Sequence, residues 1–308
     1  MSKCDICPRE CHADRDSGKA GVCGANNRII VARTSLHMWE EPCVSGTRGS
    51  GTVFFSGCPL GCMYCQNYEI SCGTLRGREY SIEELADSFI ELQNKGANNI
   101  NLVTPTHYSY QIIDSVRLAR EKGLILPVVY NCSGYEKVDT LKALEGTVDV
   151  YLTDFKYMDD EIALKYSKAA DYSVVAKLAL MEMVRQQPEC EFAAEEGALE
   201  QGIIKKGVIV RNLLLPGHIK NSKDVIKYVY ETYGDSVVLS IMNQYTPIKR
   251  AKDLKVLDRK VTKREYDRLI DFVIDLGAEN VYVQEEDASG EEFIPDFSQI
   301  CEHFSELL

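Results

Sequence analysis

Thr52–Asn67 reads TVFFSGCPLGCMYCQN, a β-branched and aromatic run that ends in glycine and passes straight into three cysteines. The first six residues form a near-continuous apolar run, the pattern of a strand covered on both faces. In parallel α/β folds ligands gather at the carboxyl ends of strands, so a loop rich in ligating side chains at this point predicts a site there. Cys58, Cys62 and Cys65 follow a C-x3-C-x2-C spacing. A structural zinc takes four ligands and a ferredoxin-type cluster four thiolates. Three thiolates leave one coordination position open. The reading they support is a [4Fe–4S] cluster whose fourth iron accepts an outside ligand, with Gly57 and Gly61 letting the loop wrap closely around it. A zinc site that borrows a distant fourth ligand, or three reduced core cysteines, are the alternatives.

The rhythm continues along the chain. Further strand candidates are residues 98–104, 125–132, 148–156, 207–215, 237–245 and 280–285, separated by amphipathic segments with good boundary signals. SIEELADSFIELQNKG places Ser81 and Glu84 in capping-box spacing, sets Ile82, Leu85, Ala86, Phe89 and Ile90 on one face, and stops at Gly96. TKREYDRLIDFVIDLG repeats the device with Thr262, Glu265 and Gly277. Strand–helix alternation predicts an α/β fold with a parallel sheet, a partial (β/α)6 TIM-like barrel over residues 51–308 with a helical C-terminal extension. Residues 1–50 fall outside that rhythm and read as a small cysteine-rich extension.

Composition narrows the function. With 308 residues, 45% hydrophobic and 27% charged, the chain has the make-up of a globular enzyme. It has no apolar run of membrane-spanning length, and MSKCDICPREC lacks the apolar stretch of a signal peptide, so the expectation is a cytoplasmic protein. A net charge of −12 argues against nucleic acid or an anionic membrane as a general partner. Twelve cysteines in such a setting point to metal or redox work rather than disulfides. Cys4, Cys7, Cys11 and Cys23 offer four thiolates, enough for a closed second metal site of zinc or an iron–sulfur cluster. Cys43, Cys72, Cys132, Cys190 and Cys301 are scattered and read as packing residues. Residues 247–265 carry eight basic and three acidic side chains, which reads as a solvated loop.

The C-x3-C-x-aromatic-C run after a first barrel strand resembles the radical S-adenosylmethionine (SAM) superfamily. Within it the chain is similar to the glycyl-radical-enzyme activases, most of all to the PflX-like branch of pyruvate formate-lyase activase relatives. The resemblance is carried by CDICPREC, GSGTVFFSGCPLGCMYCQNYEIS, NINLVTPTHY, NCSGY, DVYLTDFKYMD, LLLPGH and SIMNQYTP. It implies that SAM binds the open iron and is cleaved reductively to methionine and a 5′-deoxyadenosyl radical. That radical would take a hydrogen from a glycine of a partner glycyl-radical enzyme, with a flavodoxin- or ferredoxin-type protein as reductant. It also implies Tyr64 against the adenine, and Asp154 and Lys156 as catalytic residues beside SAM. Where activases carry Gly-Gly-Glu for the methionine amino group this chain has VTPTHY, which leaves Thr104, Thr106 and His107 as candidates. Asn131 and Ser133 end the third strand; the resemblance implies that Arg211 pairs the SAM carboxylate and that His218 contacts ribose or adenine, and Asn243 and Gln244 are further candidates at a strand end. Radical chemistry on another peptide or a small molecule is the alternative within the class. Outside it, an iron–sulfur electron carrier or metal-binding module is the rival.

Overall fold

The computed structural model describes residues 3–71, 77–195, 201–248 and 254–284. The elements in chain order are β1 (Ile29–His37), α1 (Pro42–Ser45), β2 (Ser50–Phe55), α2 (Tyr68–Ser71), β3 (Arg78–Tyr80), α3 (Ile82–Asn94), β4 (Ile100–Val103), α4 (Ser109–Glu121), β5 (Val128–Cys132) and α5 (Val138–Ala143). They continue with β6 (Val150–Asp154), α6 (Asp160–Ser167), α7 (Tyr172–Gln186), β7 (Glu191–Ala193), β8 (Ile203–Leu213), α8 (Ile219–Tyr233), β9 (Val238–Met242), α9 (Lys263–Leu276) and β10 (Val281–Val283). The helical extension expected at the C-terminus, beyond α9 and β10, lies outside the described residues, as do Cys72 and Cys301.

The sheet runs β10-β9-β8-β6-β5-β4-β2-β1-β3. From β10 to β2 neighbouring strands are parallel, and the sheet is left open, as a partial barrel requires. Each strand predicted from the sequence is present. Residues 1–50 are not a separate extension: their β1 pairs antiparallel with β2 from Val31 opposite Phe55 to His37 opposite Ser50 and so joins the sheet. β3 then pairs with β1 at the edge. Both predicted helix starts form: the capping boxes at Ser81–Glu84 and Thr262–Glu265 close in both directions, and Gly277 takes the left-handed cap of α9.

Alternation along the strands separates two faces. Val53, Phe55, Ile100, Leu102 and Val128 pack outward against α3 and α4. Tyr130, Tyr151, Val208, Val210, Leu239 and Ile241 do the same against α5, α7, α8 and α9. The inner face is handled differently. Cys43 and Val44 of α1 enter it and pack against Val129, Val150, Leu152, Ile209 and Val238, closing the floor of the barrel. Above that floor the inward positions turn polar, with Asn101, Asn131, Arg211 and Ser240, then Asp154 at a strand end. The apolar floor and the polar layer are therefore set by consecutive inward residues of the same strands. Among the described residues no helix is long and apolar enough to cross a membrane.

Leu152 has no solvent exposure and touches the α1 plug from the barrel wall. Leu152→Ala is expected to cost about 2–5 kcal/mol, read as a drop in the urea midpoint.

Candidate functional site

The cysteine loop leaves β2 through Gly57, whose φ of +93° is easy only for glycine. A Cβ there would also meet the Cys23 carbonyl at 2.7 Å. The loop is fastened to the segment before β1. The Cys58 N–H donates to the Cys23 carbonyl at 3.1 Å. Arg9 donates to the carbonyls of Pro59 at 2.9 Å and Ser167 at 2.8 Å, and also to that of Lys168. Each sulfur of the trio accepts a hydrogen bond from a neighbour: Cys58 from the Leu60 N–H at 3.4 Å, Cys62 from Ser167 Oγ at 3.0 Å, and Cys65 from Ser71 Oγ at 3.4 Å, among others. Burial, then repulsion from Cys62, pushes the Cys58 thiol up to about 12, and burial also raises Cys62. Without a bound cation these groups stay thiols; a bound metal draws the proton off.

Beside the loop lies a cleft of about 230 Å3. It is lined by Cys58, Cys62 and Cys65 together with Tyr64, Thr104, Asn131, Ser133, Asp154, Lys156, Arg211 and Gln244. Arg211 organises the polar side. Its Nε donates to Asp154 Oδ1 at 2.9 Å, its Nη2 to Asn131 Oδ1 at 2.7 Å and its Nη1 to Glu40 Oε2 at 3.2 Å. Lys156 Nζ donates to the other Asp154 oxygen at 2.5 Å. Burial alone would raise the Asp154 carboxyl, but Arg211 and Lys156 outweigh it and hold it below the usual range. Glu40 and Glu41 go the other way: burial pushes both up, and Arg211 relieves them only in part.

The sequence candidates divide. Tyr64, Thr104, Asn131, Ser133, Asp154, Lys156 and Gln244 all reach the cleft, and so does Arg211. Thr104 does so with φ of +57°, a left-handed conformation uncommon for threonine, while its N–H donates to the Asn131 carbonyl at 2.9 Å. Thr106 and His107 come from the same strand end but turn away into the protein. Thr106 Oγ1 donates to Glu136 at 2.9 Å. His107 is buried with Nε2 2.8 Å from the Ser56 carbonyl, and burial lowers it to about 3, a neutral imidazole supporting the β2 end. His218 stands one residue removed, its Nε2 2.8 Å from the Tyr166 hydroxyl, and the Tyr166 ring packs edge-on to Tyr64. Asn243 does not line the cleft.

Sequence reasoning missed Met38–Pro42, MWEEP, which belongs to no strand–helix unit. Glu40 accepts from Asn101 Nδ2 at 3.2 Å and Asn131 Nδ2 at 3.3 Å as well as from Arg211, so it is part of the site's floor. The available signal was a carboxylate pair just ahead of a proline, which predicts a non-helical turn holding charge.

The residues present fit an iron–sulfur cluster and SAM by their chemistry. Three soft sulfur donors, each with its own hydrogen-bond donor, border a cleft that also offers cations, a carboxylate and amides. Ser133 Oγ lines that cleft buried and without a hydrogen-bond partner, a polar atom waiting for a ligand. Among the described residues no group of three or more His, Cys, Asp or Glu side chains already converges as ligands of one metal ion. At the N-terminus Cys7 and Cys23 are buried and Cys4 and Cys11 half-buried. The turn of chain is closed by Cys4 N–H to Ala13 O at 3.1 Å and His12 N–H to Cys4 O at 2.9 Å, with Cys11 and Cys23 both beside Gly21.

The chain is an open α/β barrel with a three-thiol loop where its first parallel strand ends and a polar cleft beside that loop. Residues 52–187 match the model of the radical SAM superfamily. The chain is similar to two Methanocaldococcus jannaschii proteins. It is 26% identical to uncharacterized protein MJ0674 over 290 residues, 92% of this chain and 77% of that one. It is 24% identical to uncharacterized protein MJ0808 over 250 residues, 74% and 65% of the two chains. Among solved structures it is similar to Streptococcus suis SuiB bound to S-adenosylmethionine, at TM-score 0.48 and 11% identity, covering 74% of this chain and 48% of SuiB. It is also similar to methylornithine synthase (PylB), at TM-score 0.44 and 16% identity over 73% and 67%. The chain thus spans about half the length of SuiB.

Two consequences are measurable. Burial raises Glu136 to about 8, the hydrogen bonds from Thr106 and Tyr130 offsetting only part of this. Folding therefore takes up a proton between the unfolded value of 4.5 and about 8, and stability falls as pH rises across that window. Glu136→Gln is expected to flatten that slope, at most about 1.4 kcal/mol per pH unit, in urea melts at a series of pH values. Arg211→Met leaves Asp154, Glu40 and Glu41 without their shared cation. A loss of about 3–5 kcal/mol in the same melts is expected.

Proposed function

We propose that the protein is a radical SAM enzyme in which Cys58, Cys62 and Cys65 hold a [4Fe–4S] cluster and the adjoining cleft holds SAM. The observation that carries this is the meeting of three hydrogen-bonded thiols with the polar lining of one cleft, where the Ser133 hydroxyl has no partner. When bound, the pair supplies a reductively generated 5′-deoxyadenosyl radical that abstracts a hydrogen atom. The chain's own residues do the rest. Ser71, Ser167 and the Leu60 N–H donate to the sulfurs, which stabilises negative charge on them. Lys156 and Arg211, both anchored on Asp154, set the cationic side of the cleft against the SAM carboxylate. Thr104, Asn131, Ser133 and Gln244 supply hydrogen bonds, and Tyr64, fixed by a 2.6 Å bond between its hydroxyl and that of Tyr157, gives the adenine a flat wall. Thr106, His107 and His218 support this shell from behind.

An electron carrier needs no lined cleft beside its cluster, so the same observation disfavours the non-enzymatic reading. The substrate is a peptide or small molecule entering beside the cleft. Activation of a glycyl-radical enzyme, with a flavodoxin- or ferredoxin-type reductant, is the finer form that the sequence resemblance supports. A glycyl doublet in electron paramagnetic resonance, formed on mixing with such an enzyme, would separate it from other peptide chemistry. Cys4, Cys7, Cys11 and Cys23 we assign to a second metal, zinc or iron–sulfur.

Protein reconstituted anaerobically and given SAM and dithionite is expected to form 5′-deoxyadenosine. Cys58→Ala should abolish it, and Asp154→Asn should lower the rate at least about tenfold, the scale of a lost charge-assisted contact. A fully loaded wild-type protein that leaves SAM intact refutes the reading.

A further inference from the structure

A second cleft, of about 410 Å3, adjoins the first. The two share Trp39, Glu40, Arg211, Met242 and Gln244, so a group bound in the larger one lies beside the contents of the smaller. Its volume falls in the range of small-molecule sites, roughly 300–1,000 Å3. The wall is apolar and aromatic, with Met38, Trp39, Met242 and Tyr282, and the floor is acidic, with Glu40 and Glu41.

Glu41 is the unusual residue. It is 8% exposed, and Ser240 Oγ donates to its Oε1 at 3.0 Å. Its Oε2 is buried in the lining without a hydrogen-bond partner, the nearest cation being Arg211 Nη1 at 3.9 Å. Arg211 has little to spare for it, since Nε, Nη1 and Nη2 are already committed to Asp154, Glu40 and Asn131. Counted as ionised, the two carboxylates of the larger cleft (Glu40, Glu41) face a single cation (Arg211), which is also shared with Asp154. A buried acceptor without a donor and a deficit of one positive charge are both costly, and one ligand relieves both.

We propose that this cleft is the substrate pocket and that it takes an alkylammonium group, which donates to Glu41 Oε2 while its methylenes lie against Trp39, Met242 and Tyr282. An ammonium suits a single free oxygen, whereas a guanidinium fork asks for both. The rings of Trp39 and Tyr282 add cation–π attraction. An anionic group in this cleft would add a third negative charge beside Glu40 and Glu41 and is selected against. The proposal deepens the radical SAM reading, on which it rests for its place beside the reacting centre; binding itself stands apart.

Trp39 is the only tryptophan in the chain, so its fluorescence reports this pocket directly. The full-length protein is titrated anaerobically with N-acetyl-Gly-Lys-Gly-amide and with 1,5-diaminopentane, which distinguish a peptide side chain from a free amine. The norleucine and glutamate tripeptides are the controls. A saturable change with at least one amine is expected, with at least tenfold weaker response to both controls and at least tenfold weaker amine binding in Glu41→Gln. The wild-type series decides alone should that variant fail to fold. No response to either amine, a norleucine curve equal to that of lysine, or unchanged affinity in a folded Glu41→Gln overturns the proposal. 5′-Deoxyadenosine formation is read separately. SAM cleavage without amine binding sinks only this inference, and amine binding without SAM cleavage sinks only the radical SAM reading.

Discussion

Arg211 sits on the inner face of β8 with its guanidinium divided among Asp154, Asn131 and Glu40. A cation in that position is tolerable only because every arm has a partner, and Glu40 and Asp154 lean on it in turn, Asp154 together with Lys156. The group ties β8 to β6 and β5 and to the chain segment that closes the barrel floor. The polar cleft, the depressed Asp154 and the under-compensated Glu41 all follow from how that one side chain spends its donors. The site is a charge-balance problem solved inside a barrel.

The segment before β1 is more than an attachment. Its Cys23 carbonyl receives the Cys58 N–H, and its Arg9 caps carbonyls on both the cysteine loop and the end of α6. Ser167, whose carbonyl Arg9 holds, is also the residue that donates to Cys62 Sγ. Cys23 thus stands one backbone hydrogen bond from Cys58.

Much of the architecture was legible in local pattern. Strands that are apolar throughout announce a doubly covered sheet, and the Ser81–Glu84 and Thr262–Glu265 pairs announce helix starts because capping is settled within four residues. β1 was illegible for the opposite reason. Its burial depends on pairing with β2 and β3, and residues 29–37 alone carry no alternation clean enough to show it. Thr104 and Thr106 illustrate the same limit at the site. They are two residues apart at one strand end, yet the left-handed turn at Thr104 keeps it in the cleft and sends Thr106 to Glu136.

By itself the sequence determined the parallel α/β frame and the place of the three-cysteine loop at the end of its first parallel strand. Both rest on periodicity and spacing over a few residues, where chain geometry leaves little choice. Only the tertiary structure decided which polar side chains share the cleft. Glu40, Asn131, Asp154 and Arg211 are separated by as much as 171 residues, and their partnership comes from inward-facing positions on neighbouring strands meeting a segment folded in from below. Buried charge is a property of the whole assembly: whether a carboxylate is ionised, paired or left waiting depends on what the rest of the chain brings to within about 4 Å of it.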